Sequence, residues 1–270
     1  MSVLAIDIGN SRVGLNVYTQ GKAQDPALRL THAEVQTQLA QTLKTLFEKA
    51  QREGGDADED ERGDAEIVIA SVVPELTERI GRAAREQTGA ELRIIGGDLK
   101  VPLKTTLRDE TTVGQDRLLG ALAAYVNVEA ACAIVQVGSA LVVDCIDDEG
   151  IFRGGAIAPG LQMSAKALHD FTAQLPESSL TPPTADVPFG RFTQEAINLG
   201  LYVGIRGAVR ELLERYATAL GAWPHVVATG GDALAVLGEG AGEGLVDSYV
   251  PDLVLQGAAL AWEHGRAKSA

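Results

Sequence analysis

Aromatic residues make up only 4% of this 270-residue chain, so its core cannot rest on stacked rings. The core must come from Ala, Val, Leu and Ile, which with 46% apolar residues and 30 glycines suits parallel strands covered by helices. Cysteine is rarer still. Cys132 and Cys145 are the only two, at no metal-ligand spacing, and a reduced compartment is the simplest reading. Long apolar runs are missing as well: no uncharged stretch reaches the roughly 18 residues of a membrane span. No basic-then-apolar leader precedes Asp7. A soluble cytoplasmic protein with no membrane partner is therefore expected. Positive charge is the last shortage. With 23 Lys and Arg against 37 Asp and Glu, the net charge of −14 opposes encounter with nucleic acid or an anionic surface. An acidic protein that binds an anionic ligand must gather positive charge locally or use a metal.

What is present begins with Val3-Leu4-Ala5-Ile6-Asp7-Ile8-Gly9-Asn10-Ser11. An apolar strand delivers one carboxylate and then a turn of small and polar residues. Gly9 lets the backbone approach an anion because it has no Cβ, and Asp7 can hold Mg²⁺ through a water, since that ion keeps most of its hydration shell. The same residues would also serve a plain hairpin in which Asp7 and Asn10 only shape the turn. Residues 13–18 read as the return strand. Val35, Leu39, Leu43, Leu46 and Phe47 fall at helical spacing within 32–51, and the acid-rich stretch 53–64 reads as a solvated loop. Residues 66–73 form a buried strand ending at Pro74, which opens a helix closed by Gly89. Another strand follows at 92–95. This alternation is that of an α/β half-domain.

A polar segment, 105–117, feeds a helix over 118–125. Asp116 and Arg117 stand at its beginning, where a carboxylate either caps the helix or acts as a general base on a substrate hydroxyl. The chain then repeats its opening device in Ala133-Ile134-Val135-Gln136-Val137-Gly138-Ser139-Ala140: buried strand, polar residue, spacer, glycine, hydroxyl. A duplicated fold with a nucleotide cleft between its halves is the economical inference. Residues 152–160, rich in small residues, suit a loop on which a ligand lies close to the backbone. Helices follow at 161–174 and 194–220, separated by a polar, proline-bearing segment over 182–193. Val226-Val227-Ala228-Thr229-Gly230-Gly231 is one more strand ending in a paired-glycine turn, shaped to lie against a nucleoside. A helix over 253–265 closes the domain.

Together these segments resemble the type III pantothenate kinases, a branch of the actin-like ATPases, and the resemblance runs essentially end to end. It is carried by Asp7-Ile8-Gly9-Asn10-Ser11, Ala70-Ser71-Val72-Val73-Pro74, Gly114-Gln115-Asp116-Arg117, Gly154-Gly155-Ala156-Ile157-Ala158-Pro159-Gly160 and Ala228-Thr229-Gly230-Gly231. It implies two ribonuclease H-like half-domains, placed at 1–117 and 118–270, the second carrying the adenosine motif and the dimer contact. It implies phosphorylation of pantothenate by ATP to 4′-phosphopantothenate, the first step of coenzyme A biosynthesis. In that role Asp116 is the catalytic base, while Gly114, Gln115, Arg117, Gly155 and Thr193 serve pantothenate, Thr193 from the partner of a homodimer. Asp7, Gly9, Asn10, Ser11, Gly138, Ser139 and Ala140 face the phosphates, and Thr229, Gly230 and Gly231 the adenosine. The cofactors implied are Mg²⁺ at Asp7 and a monovalent cation, K⁺ or NH₄⁺, at the position of Gln136.

Two positions depart from the family pattern. Family members typically carry Asp where Gln136 stands; an amide oxygen can still meet a cation but brings no charge, so weaker or altered cation use is expected. Leu107 stands where many members have Tyr, which changes a pocket wall and leaves the chemistry. Two other readings remain open: a binding or regulatory homologue that lost the chemistry, favoured by Gln136, and a kinase of another small hydroxyl compound.

Overall fold

The computed structural model describes residues 1–55, 63–184, 188–238 and 244–268. Most of the acid-rich stretch and part of the 182–193 segment lie outside them. The chain forms two compact units, one of Met1–Lys104, Arg108–Val126 and Asp252–Ala270, the other of Thr105–Leu107 and Asn127–Pro251.

In the first unit, β1 (Ser2–Ile8) pairs antiparallel with β2 (Arg12–Thr19) and parallel with β5 (Ala65–Ser71). The short strands β3 (Lys22–Ala23) and β4 (Leu28–Thr31) extend β2, and β6 (Leu92–Ile94) lies beyond β5, giving the order β3-β2-β1-β5-β6. Helix α1 (His32–Gly54) starts on a capping box in which Thr31 and Glu34 satisfy each other's backbone N–H groups, worth about 1 kcal/mol. α2 (Pro74–Thr88) opens on its proline and ends on Gly89 in the left-handed region. Strand alternation sorts the side chains of β1. Leu4, Ile6 and Ile8 join Val35, Leu39, Leu43, Phe47 and Ile80 in one core. Val3 and Ala5 join Leu119, Leu122, Val254, Leu255, Ala258 and Trp262 in another. Those last residues come from α3 (Gln115–Val128) and α7 (Leu253–Ala267).

The second unit repeats the plan. β8 (Cys132–Val137) pairs antiparallel with β9 (Ala140–Ile146) and parallel with β11 (His225–Thr229). With β10 (Ile151–Pro159), β12 (Ser248–Tyr249) and the short β7 (Lys104–Thr105) the order is β12-β11-β8-β9-β10-β7. Read from β10 to β12, this is the order of the first sheet. Ala133, Val135 and Val137 bury against Tyr202, Ile205, Val209 and Leu213 of α5 (Thr193–Leu220) and against α6 (Ala233–Leu237). α4 (Leu161–Asp170) follows β10. The fold is thus α/β with duplicated ribonuclease H-like halves.

One expectation is corrected. The glycine-rich 152–160 segment is not a loop: it is β10, paired antiparallel to β9 with a bulge between Phe152 and Gly154. Its glycines serve the sheet, since a Cβ on Gly155 would stand 2.2 Å from the Val143 carbonyl oxygen. The end of the chain, Asp252–Ala270, packs with the first unit. α7 covers the face of β1 that Val3 and Ala5 present, and without it those side chains would meet water.

Candidate functional site

Asp7 follows Val3 and Ala5 on the α3 side of β1, and Asp116 lies in the first turn of α3. This is why two acids 109 positions apart sense each other. Burial, then repulsion from Asp116, raises the Asp7 carboxyl to about 7, against a smaller opposing pull from Arg29. Burial raises Asp116 as well, opposed by the Arg117 backbone N–H and guanidinium. Asp116 is no ordinary helix cap: its Oδ1 accepts from the N–H of its own neighbour Arg117 at 3.0 Å, and that N–H also reaches the Gly114 carbonyl at 3.1 Å. The carboxylate lies over Gly114, where an added Cβ would be 2.4 Å from Oδ1. Gly114 therefore makes the space that Asp116 occupies.

The turn after Asp7 is closed by the Gly9 N–H donating to the Arg12 carbonyl at 3.0 Å, with Asn10 and Ser11 exposed. A residue that sequence reasoning missed touches it from outside. His32, the first residue of α1, places Nε2 3.0 Å from the Gly9 carbonyl oxygen. The capping box that starts α1 is legible as Thr31-His32-Ala33-Glu34; the target 23 residues upstream is not.

In the second unit Gln136 takes the position on β8 that Asp7 takes on β1, one residue before the last of the strand. Its neighbours across the sheet are Val142 on β9 and Thr229 on β11. Asp144, 2% exposed, faces Ile134 instead, displaced by two residues along β9 from Val142. Gly138, Ser139 and Ala140 form the turn, the Gly138 N–H donating to the Ala140 carbonyl at 3.0 Å. Open space lies over Gly138, where an added Cβ would meet nothing within 4 Å. Two other glycines close on this turn. A Cβ at Gly160, which caps α4, would be 2.0 Å from the Gly138 carbonyl oxygen, and one at Gly230 (φ +100°) 2.3 Å from that of Val137. The Asp232 N–H donates to the same Val137 carbonyl at 3.1 Å, so the turn of Thr229, Gly230 and Gly231 is held against the end of β8. Gly155 is exposed on β10 and Thr193 exposed at the start of α5; among the described residues neither is hydrogen-bonded to these turns. Leu107 lies against Gly154, its Cδ2 3.2 Å from where a Cβ would stand.

The sequence model of the type III pantothenate kinases matches residues 3–215. The chain belongs to the type III pantothenate kinase family. A type III pantothenate kinase of Dehalococcoides mccartyi is 33% identical over 266 residues, 98% of each chain. One from Brevibacillus brevis is 32% identical over 266 residues, 98% of this chain and all of the other. Among solved structures, a Baf family protein from Campylobacter jejuni superposes with a TM-score of 0.59 at 19% identity, over 98% of this chain and 99% of the other. A ROK family glucokinase from Streptomyces griseus gives 0.50 at 12% identity, over 97% and 100%. At such identities these two speak to the fold alone, and the fold they share is that of the actin-like kinases.

Membership implies a nucleotide with a divalent metal, and the residues fit one. Burial and the charge of Asp116 raise the proton affinity of Asp7, and a cation at this half-buried carboxyl relieves both. Among the described residues no group of three or more His, Cys, Asp or Glu is arranged to hold a metal ion. That sparseness suits Mg²⁺, which takes one or two carboxylates and leaves its other positions to water and phosphate. Among the described residues no helix is long and apolar enough to cross a membrane. The two cysteines are buried and form no disulfide, and burial pushes both thiols up, to about 12 for Cys132 and about 11 for Cys145. Both are therefore thiols, not thiolates, near neutral pH.

Proposed function

We propose that this chain carries out the reaction of its family, transfer of the γ-phosphoryl group of ATP to pantothenate to give 4′-phosphopantothenate at the entry to coenzyme A biosynthesis, and that Asp116 is its base. The observation that carries the assignment is the placement of Asp116: half-buried in the first turn of α3, over Gly114, on the face of the sheet that holds Asp7. Its raised proton affinity makes it a stronger base than an ordinary carboxylate. Asp116 accepts the proton of the primary hydroxyl of pantothenate as that oxygen bonds to phosphorus and ADP departs. Arg117 steadies the substrate or the transferring group, and Gly114, Gln115, Gly155 and Thr193 shape the pantothenate site.

Phosphoryl transfer asks the protein mainly for positioning and charge stabilisation. The turns of Gly9, Asn10 and Ser11 and of Gly138, Ser139 and Ala140 lie along the phosphates, and Thr229, Gly230 and Gly231 lie along the adenosine. Asp7 would hold Mg²⁺ through water; the ion, when bound, shields phosphate charge. The Gln136 amide oxygen would coordinate K⁺ or accept a hydrogen bond from NH₄⁺. The working unit is a homodimer in the cytoplasm. Met163, Phe171, Phe189, Phe192 and Val203, in and beside α4 and α5, are all more than half exposed, a patch of the kind that association covers.

The test is to assay purified protein with ATP, Mg²⁺, K⁺ or NH₄⁺, and pantothenate. Formation of phosphopantothenate with matching ADP release is expected. Pantothenate binding by calorimetry with no turnover under any cation would favour the non-catalytic homologue, and turnover only with another alcohol would reassign the substrate.

A further inference from the structure

His32 follows Thr31, and Thr31 is the register partner of Arg12, the residue that closes the Asp7 turn. The start of α1 is therefore fixed to that turn through the pairing of β2 and β4. The capping box adds rigidity: Glu34 accepts from the Thr31 N–H at 2.8 Å, and the Thr31 side chain accepts from the Glu34 N–H at 3.3 Å. From this platform the half-buried imidazole reaches back 23 residues to the Gly9 carbonyl. A carbonyl only accepts, so Nε2 carries the proton. Both the Nε2–H tautomer and the imidazolium donate there, so the contact does not depend on the charge of the ring.

The consequence lies in the geometry of one peptide bond. The Gly9 carbonyl and the Asn10 N–H belong to one planar trans unit and point in opposite directions. A peptide next to glycine rotates easily, because glycine occupies both halves of the backbone map at little cost. Whatever holds the Gly9 oxygen therefore also aims the Asn10 N–H. We propose that His32 is a positioning residue of the nucleotide site, which locks the Gly9–Asn10 peptide so that the Asn10 N–H is presented away from α1, toward the phosphates. This rests on the reading of Asp7 to Ser11 as a phosphate turn.

Two variants test it. His32→Ala removes the donor, and His32→Gln keeps an amide N–H of similar reach. Binding of MgADP and MgATP by calorimetry is measured alongside steady-state kinetics and thermal unfolding. For His32→Ala we expect nucleotide affinity to weaken and KM for ATP to rise by about three- to tenfold, the loss of one hydrogen bond to the turn. KM for pantothenate should change less than twofold, and His32→Gln should recover most of the ATP effect. Unchanged nucleotide affinity in a folded His32→Ala protein would overturn the inference. So would equal damage in both variants, or an equal rise in both KM values, which would mark a packing role. Because the calorimetry needs no acceptor, it stands even if the wild-type protein fails to phosphorylate pantothenate, and the two failures are told apart.

Discussion

Asp7 and Gln136 occupy the same place in two hairpins of one design, and they differ in the property that matters most near a phosphate. In each case a buried strand runs parallel to one neighbour and antiparallel to the next, the polar residue stands just before the strand's last member, and glycine opens the turn. The first hairpin carries charge, with a second acid beside it and an imidazole behind its turn. The second carries no charge at this position and is instead built from close backbone approaches of Gly160 to Gly138 and of Gly230 to Val137. Duplication has kept the geometry and divided the labour. Acid chemistry sits on one copy, and shape sits on the other.

Substitutions in the two hairpins should therefore fail in different ways. The largest effect is expected from Asp116→Asn. Loss of a general base lowers kcat by about a thousandfold, while MgATP affinity by calorimetry stays within about threefold; a fully active variant would remove Asp116 as the base. Next comes Gly160→Ala, whose Cβ has no room beside the Gly138 carbonyl. Here the loss is in stability, by about 3 kcal/mol in urea unfolding, and an unshifted midpoint would show that the turn can move aside. A smaller effect concerns pH in metal-free protein. Asp7 binds its proton more tightly folded, at about 7, than at its ordinary value of 3.8, so stability in urea unfolding falls as pH rises through that window and levels off above it. Asp116→Asn removes the neighbouring charge and should flatten that slope; an unchanged slope would mean the two acids do not interact. The smallest effect is expected from Gln136→Asp, which gives the second hairpin the charge of the first. Activation by K⁺ should strengthen by about two- to fivefold, and indifference to K⁺ in both proteins would remove the cation from this turn.

The fold was legible where a side-chain period repeats over enough residues. β1, β5, β8, α1, α2, α5 and α7 follow directly from apolar spacing and end signals. β10 was hidden because its glycines imitate a loop; what they accommodate is the carbonyl row of β9, and a linear sequence gives no sign of a neighbouring strand. β3, β4, α6 and β12 are too short to establish a period. At the candidate site, Asp7 and Asp116 could each be singled out by residue type and position, but their proximity depends on which side of β1 α3 covers. His32 escaped notice because its partner is a backbone oxygen, which leaves no mark on composition.

The return of α7 to the first unit also sets an order of events during synthesis. β1, β5 and α3 leave the ribosome well before residue 253, yet Val3, Ala5 and Leu119 find Val254, Leu255, Ala258 and Trp262 only when the last helix emerges. The residues from Asn127 to Pro251 contain their own sheet and can settle first. A nascent chain halted before α7 would thus hold a finished second unit and an uncovered first one, with the face that bears Asp7 open to chaperone or protease.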